Sequence, residues 1–396
     1  MRSHPLLAFP ALLLAYGLTP ALSRADFVQT DLVSDVSGLA PAMDPDLKNP
    51  WGISFGATTP FWVSNQASNT STLYDPLAMT IKVPLTVNIP TGGATPPTGP
   101  TGQVFNNTAS DFMIPAPTGT VKAAFLFATL QGTLEGWNPG STGAPANAEV
   151  VASVPKASFT GLTLDSVGGS NYLYAADATG SIRVFNGSFT NVTNTTFAGK
   201  FVDPAPVAGF TPFNIQNLGG NLFVTYAAAT STGAPLPGGY VDEYSAAGNF
   251  IQRIATAGPL NAPWGLALAP MGFGSCGGDL LVGNLFNSTI DAYNLGNHDN
   301  LDGSITVKTG FTSPVGLWAL DFGNGATGNA DTLYFDAGVN NQKDGLFGEI
   351  RSVPEPGYLA LFVTALAGLF AHRWRRGRAS ACSHRTWAGA RVRLST

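Results

Sequence analysis

Apolar positions along this chain fall in short runs rather than long periodic stretches. One set of runs is FWVSN (61–65), FLFAT (125–129), LYAAD (173–177), LFVTY (222–226), LLVGN (280–284) and LYFDA (333–337). A second set follows soon after, each ending in an aromatic and a small polar residue: STLYD (71–75), TLEGWN (133–138), SIRVFN (181–186), YVDEYS (240–245) and TIDAYN (289–294). Runs rich in β-branched and aromatic residues, bounded by Gly, Asn and Asp, predict strands joined by tight turns. No long segment carries the 3.6-residue apolar period of an amphipathic helix.

A third element precedes each first run. Pro50-Trp51-Gly52-Ile53 returns as Pro263-Trp264-Gly265-Leu266, with echoes at Thr101-Gly102-Gln103-Val104, Thr160-Gly161-Leu162-Thr163, Pro212-Phe213-Asn214-Ile215 and Val315-Gly316-Leu317-Trp318. Counted at the glycine position, the series is 52, 102, 161, 214, 265 and 316, with spacings of 50, 59, 53, 51 and 51. A period of this size points to radial repetition of small antiparallel sheets. The expected fold is therefore all-β, a six-bladed β-propeller of the NHL or lactonase-like type over 26–352. A sixth unit ending near LFGEIRSV (346–353) lacks an outermost strand, and FVQTDLVSDV (27–36) is the segment that can supply it and close the ring.

Composition agrees with a β protein: 47 Gly, 29 Pro and 11% charged residues in 396. Charge is unevenly divided. Between Asp26 and Ile350 there are 9 Lys and Arg against 23 Asp and Glu, a balance of −14, whereas the last 25 residues hold seven arginines and no acid. An acidic body disfavours nucleic-acid binding. The two cysteines, Cys276 and Cys382, lie on opposite sides of an apolar segment, so no disulfide is expected.

Both ends read as targeting segments. Arg2, the apolar run Leu6–Leu18 and Ser23-Arg24-Ala25 form a Sec-type signal peptide over 1–25, which predicts export. At the other end, 353–378 joins Val353-Pro354-Glu355-Pro356 to 15 uncharged residues and a cluster that includes Arg373, Arg375 and Arg376. As a helix, that stretch reaches about 22 Å against about 30 Å of hydrocarbon, which suits transient inner-membrane insertion with the arginines inside; the alternative is a permanent anchor.

This order of parts resembles the PEP-CTERM sorting signal. The resemblance implies recognition by exosortase, cleavage near Pro354-Glu355-Pro356, and delivery to the periplasm, the outer cell surface or the medium in bacteria that make exopolysaccharide. Such tails usually stop soon after the arginines, and the basic segment 379–396 departs from that pattern and is expected to be disordered. The body, through KNPWGISF, GQVFN, FLFATLQGTLEGWNP, PFNIQ, GPLNAPWGLALAP, GDLLVGN and DTLYFDAGVNNQKDGLFGEI, is similar to a group of secreted six-bladed propellers of uncharacterised function. That similarity implies fold and location but no reaction.

Chemistry is sparse. His4, His372 and His384 fall in the terminal segments and His298 in the polar loop GNHDNLDGS, so no histidine-based metal cluster or triad can form in the mature body. Gly323–Gly328 matches G-x-G-x-x-G but precedes a strand, which makes it a turn rather than a dinucleotide site. The remaining candidate is the axis. If the ends of the second strands gather there, Asn65, Asp177, Tyr226 and Asn284 form an axial-channel site, and the oxygens of Asn65, Asp177 and Asn284 could hold calcium. No catalytic residue is assigned and no other cofactor is expected. The leading expectation is a non-catalytic binding or matrix protein associated with exopolysaccharide. The alternative is a metal-dependent extracellular hydrolase of the six-bladed lactonase type.

Overall fold

The computed structural model describes residues 27–92, 98–228, 236–297, 300–308 and 316–353, together with Leu366, Leu369 and Phe370. Asp26–Val353 form one compact unit. The terminal segments form a second, of which only those three helical residues are described, so the expected signal peptide, Pro354-Glu355-Pro356 and Arg373, Arg375 and Arg376 lie outside the described residues. Among the described residues no helix is long and apolar enough to cross a membrane.

The chain opens with β1 (Phe27–Ser34) and β2 (Ala42–Met43) and then builds blades outward from the axis. The first blade is β3 (Pro50–Ser54), β4 (Phe61–Asn65), β5 (Thr70–Tyr74) and β6 (Lys82–Asn88). The second starts at β7 (Pro100–Phe105); a side hairpin of β8 (Met113–Pro115) and β9 (Thr120–Lys122) interrupts it before β10 (Phe125–Thr129), β11 (Thr133–Trp137) and β12 (Glu149–Ser153). The third is β13 (Phe159–Val167), β14 (Ser170–Asp177) and β15 (Ser181–Asn186). The fourth is β16 (Phe210–Leu218), β17 (Asn221–Ala228), β18 (Leu236–Ser245) and β19 (Phe250–Thr256). The fifth is β20 (Pro263–Leu268), β21 (Leu280–Asn284), β22 (Thr289–Tyr293) and β23 (Leu301–Thr306). The sixth is β24 (Gly316–Phe322), β25 (Thr332–Val339) and β26 (Asp344–Ser352).

The sixth blade is completed from the other end of the chain. β1 runs antiparallel to β26, from Phe27 opposite Ser352 to Ser34 opposite Leu346, and β2 adds to it in parallel. The expected closure is thus observed. It pairs the edge that β26 would otherwise leave open.

Six hydrophobic clusters hold the ring, one in each seam between neighbouring blades. Trp62, Leu73 and Val87 meet Phe125, Phe127 and Trp137 between the first and second. Phe223 and Val241 meet Leu266, Leu280 and Val282 between the fourth and fifth. A single sheet has two faces to bury, and stacking blades around an axis buries both.

The repeated glycine has a steric cause. A Cβ on Gly52 would lie 2.3 Å from the Thr101 carbonyl oxygen, and one on Gly102 2.1 Å from the Leu162 nitrogen, because innermost strands touch backbone to backbone near the axis. The same holds for Gly265 against Trp318. The sixth equivalent is Ala319 rather than the expected Gly316. Leu317 pairs with Ala337 where Pro50 pairs with Asn65, which aligns Trp318-Ala319 with Trp51-Gly52.

The third blade also departs from a four-stranded pattern, having three strands. In place of an outer strand, the Asn- and Thr-rich segment after Asn186 folds back, with Asn191 bridging to Phe185 and the Val192 amide donating to the Val184 carbonyl. Val192 and Phe197 fill the seam that a strand would have covered.

Candidate functional site: a closed axial cup

The innermost strands place side chains in tiers along the axis. In the first tier, Trp51, Phe213, Trp264 and Trp318 come together from four blades. Trp51 stacks on Trp318 at 3.6 Å between ring centroids, and Trp264 meets both edge-on at 6.4 and 5.8 Å. The Phe213 ring lies 6.3 Å from Trp51 and 5.9 Å from Trp318. The corresponding residues of the other two blades, Thr101 and Thr160, are small enough to make room. Thr101 Oγ1 donates to the carbonyls of Ala128 and Phe159, and the Thr160 carbonyl accepts from Trp264 Nε1 at 2.9 Å. All six residues are buried. They plug one end of the axis.

Beyond the plug lies a cavity of about 340 Å³. All six blades contribute to its wall. Its side chains occupy the positions two residues past the close-approach site: Ser54, Val104, Thr163, Gln216 and Asp321, following Gly52, Gly102, Gly161, Asn214 and Ala319. Exposure rises at the far end, where Phe105 and Asn217 are half-buried and Asn107 is exposed. The result is a cup with an aromatic floor, a polar wall, and Phe55 and Phe105 near the mouth.

Several wall groups are fixed by hydrogen bonds across blades. Gln103 Nε2 donates to the Gly52 carbonyl at 2.9 Å and to the Trp62 carbonyl. Asn214 Nδ2 donates to the Trp264 carbonyl at 2.8 Å, and Asn217 Nδ2 to the Leu164 carbonyl at 3.1 Å. Amides held this way leave the cup little freedom to rearrange. Ser54 Oγ is different, being buried with no hydrogen-bond partner. Among the described residues Asp321 is the one ionisable side chain in the wall, and burial pushes its carboxyl up to about 7 against the smaller opposing effect of the Phe322 amide.

The four residues expected at the axis are elsewhere, and each is used within its blade. Asn65 Nδ2 donates to Thr72 Oγ1 at 2.9 Å and Thr70 Oγ1 at 3.2 Å. Asp177 accepts from the Ser158 and Thr179 amides and from Thr179 Oγ1, and pairs with Arg183 Nε at 2.9 Å. The Tyr226 hydroxyl meets that of Tyr244 at 2.9 Å while its ring stacks on Tyr240 at 4.2 Å. Asn284 donates to Asp291 Oδ2 at 2.8 Å and accepts from the Asn261 amide at 2.8 Å. None of the four lines the cup. Second strands lie one row out from the axis, so their ends secure turns instead of facing the channel.

The three side chains expected to hold calcium, Asn65, Asp177 and Asn284, are thus each bonded within their own blade and outside the cup. Among the described residues no group of three or more His, Cys, Asp or Glu could hold a metal ion. His298 and Asp299 lie outside the described residues. Gly323–Gly328 is a turn, as expected: Asn324 Nδ2 reaches the Gly56 and Thr59 carbonyls at 3.1 Å, tying the sixth blade to the first. Ser54, Val104, Thr163 and Gln216 sit two residues past members of the repeat series legible in the sequence, whereas Asp321 does not, because that series places its sixth member at Gly316.

No protein-family model matches the chain. Among solved structures, a glucose dehydrogenase is similar at a TM-score of 0.52 and 13% identity, covering 81% of this chain and 99% of that one. The soluble aldose sugar dehydrogenase of Escherichia coli gives 0.51 and 13%, covering 83% and 100%. At these identities the likeness is one of fold. Among curated proteins, "Uncharacterized protein L690" of Acanthamoeba polyphaga mimivirus is 27% identical over 334 residues, covering 81% of this chain and 84% of that protein. "Uncharacterized protein R648" of the same virus is 30% identical over 339 residues, covering 81% and 78% respectively. The chain belongs to the family of this second mimivirus protein, built on a six-bladed β-propeller.

Proposed function

We propose that the protein is an exported, surface-sorted binding propeller whose axial cup holds a unit of a surface polysaccharide. The observation that carries the binding reading is the cup itself: one end is shut by four aromatic rings, and the open end leads to a wall of amide and hydroxyl side chains. A cavity of about 340 Å³ lies at the small end of the range for ligand sites, about 300–1,000 Å³. Pre-ordered amides suit hydroxylated ligands, since each can exchange a water for a ligand oxygen without moving. The sorting part of the reading rests on the order of Val353-Pro354-Glu355-Pro356, the uncharged run and Arg373, Arg375 and Arg376, with exosortase as the processing partner and passage through the inner membrane as a transient step.

The test is a glycan array probed with the propeller, residues 26–353, as wild type and as Gln216→Trp. Gln216 lines the cup, and an indole there should fill it. The expected result is selective glycan retention by the wild type and at least a tenfold loss in the variant at unchanged melting temperature. Equal retention by both proteins would move binding away from the axis. Mass spectrometry of the protein recovered from its native culture checks the sorting reading, which expects a C-terminus near Pro354–Pro356.

A further inference from the structure

The wall of the cup has an unbalanced charge. Among the described residues it contains no Lys, Arg or His, and Asp321 on β24 is its one carboxylate. The ion pairs of the described residues involve other carboxylates, such as Asp177 with Arg183 and Asp242 with Arg253. Just past Leu164 on β13 is a further acid, Asp165, whose Oδ1 accepts from the Ser166 amide and whose carboxyl is also met by the Asn217 side chain. It adds negative potential rather than relieving it.

A second observation points the same way. Ser54 Oγ, on the adjacent strand β3 and in the same tier as Asp321, is without a hydrogen-bond partner although the residue is only 7% exposed. A buried oxygen left unpaired in a cavity wall is costly unless a ligand or water completes it. Phe55 and Phe105 also line the wall, and aromatic rings attract cations as well as sugar rings.

We infer that the saccharide unit held in the cup carries a free amine, its ammonium group seated between Asp321 and Ser54 Oγ. This rests on the binding reading above and narrows it to amino sugars. An ammonium supplies a donor for the unpaired Ser54 Oγ, further donors for a carboxylate whose other donor is the Phe322 amide, and a positive charge for a carboxylate without a cation. A divalent metal fits less well, because calcium takes six to eight oxygen ligands and this tier offers one carboxylate. A neutral sugar would offer Asp321 no cation and so favour its protonated form, and an acidic one would be repelled by the ionised form.

Calorimetric titration with glucosamine, N-acetylglucosamine and glucose, against the wild type and Asp321→Asn, tests this. The expected result is that the wild type binds glucosamine at least tenfold tighter than either neutral sugar, and that Asp321→Asn removes that preference. Equal affinity of the wild type for all three would overturn the inference while leaving the cup a saccharide site. So would a preference that survives in Asp321→Asn. Failure of all three to bind also sinks it, and the comparison of wild type with Gln216→Trp on the array then decides the broader reading separately. Circular dichroism of Asp321→Asn confirms that the fold is retained.

Discussion

Glu135 shows how a single side chain can set the pH response of this propeller. It lies on β11 with no exposed surface, its Oε1 accepts from Thr133 Oγ1 at 2.5 Å, and its Oε2 has no partner. Burial pushes its carboxyl up from 4.5 to about 8, with the Thr133 bond opposing more weakly. The folded protein therefore keeps a proton that the unfolded chain gives up above about pH 4.5. Stability is full below that value and falls as pH rises towards about 8, by up to about 1.4 kcal/mol per pH unit. Chemical denaturation of Glu135→Gln between pH 5 and 8 should show a flatter dependence than the wild type; an unchanged slope would mean that the carboxyl ionises freely in the fold. Bonding at the same scale accounts for the recurrence of polar residues at strand ends. Asn65, Asp177 and Asn284 recur at one place in the repeat because each locks the turn after its strand. A polar residue that recurs in sequence does not reveal which row of the blade it occupies.

Among the elements, β1 has the largest consequence for its length. It comes from the start of the propeller and finishes a blade whose other strands come from the propeller's end, so its ladder with β26 fastens the ring. Removing residues 27–36 exposes β26 and one face of the last seam, where Phe27 packs on Phe273 at 5.0 Å. Calorimetry of that truncated propeller should show a melting temperature lower by about 10 °C or more, because each lost kcal/mol shifts it by about 2–4 °C at this scale. A transition identical to that of the intact propeller would contradict the closure. Strand positions were legible because FWVSN, FLFAT and LLVGN carry β-forming residues between turn formers, and they match β4, β10 and β21 residue for residue. Two features were not. Gly316 looked like the sixth repeat glycine, yet strand pairing selects Ala319, since a methyl group fits at that contact. The outer edge of the third blade could not be anticipated either, because Val192 and Phe197 fill the seam without the alternation that marks a strand.

For the whole molecule, six seams and one plug divide the work. The seams bury the sheet faces, and the plug of Trp51, Phe213, Trp264 and Trp318 turns what would be an open channel into a cup. The cup escaped the sequence because its tier reads as unrelated Ser, Val, Thr, Gln and Asp; only the register of the six innermost strands brings these residues level. The account's central claim is that ligand binds inside that cup. The most direct measurement is a crystal structure of the propeller grown with the glycan it retains most tightly. The account predicts ligand density between the Trp264 ring and Asp321, with Ser54 Oγ in contact. Density on the outer strands or in a seam, with the cup holding only water, would contradict it.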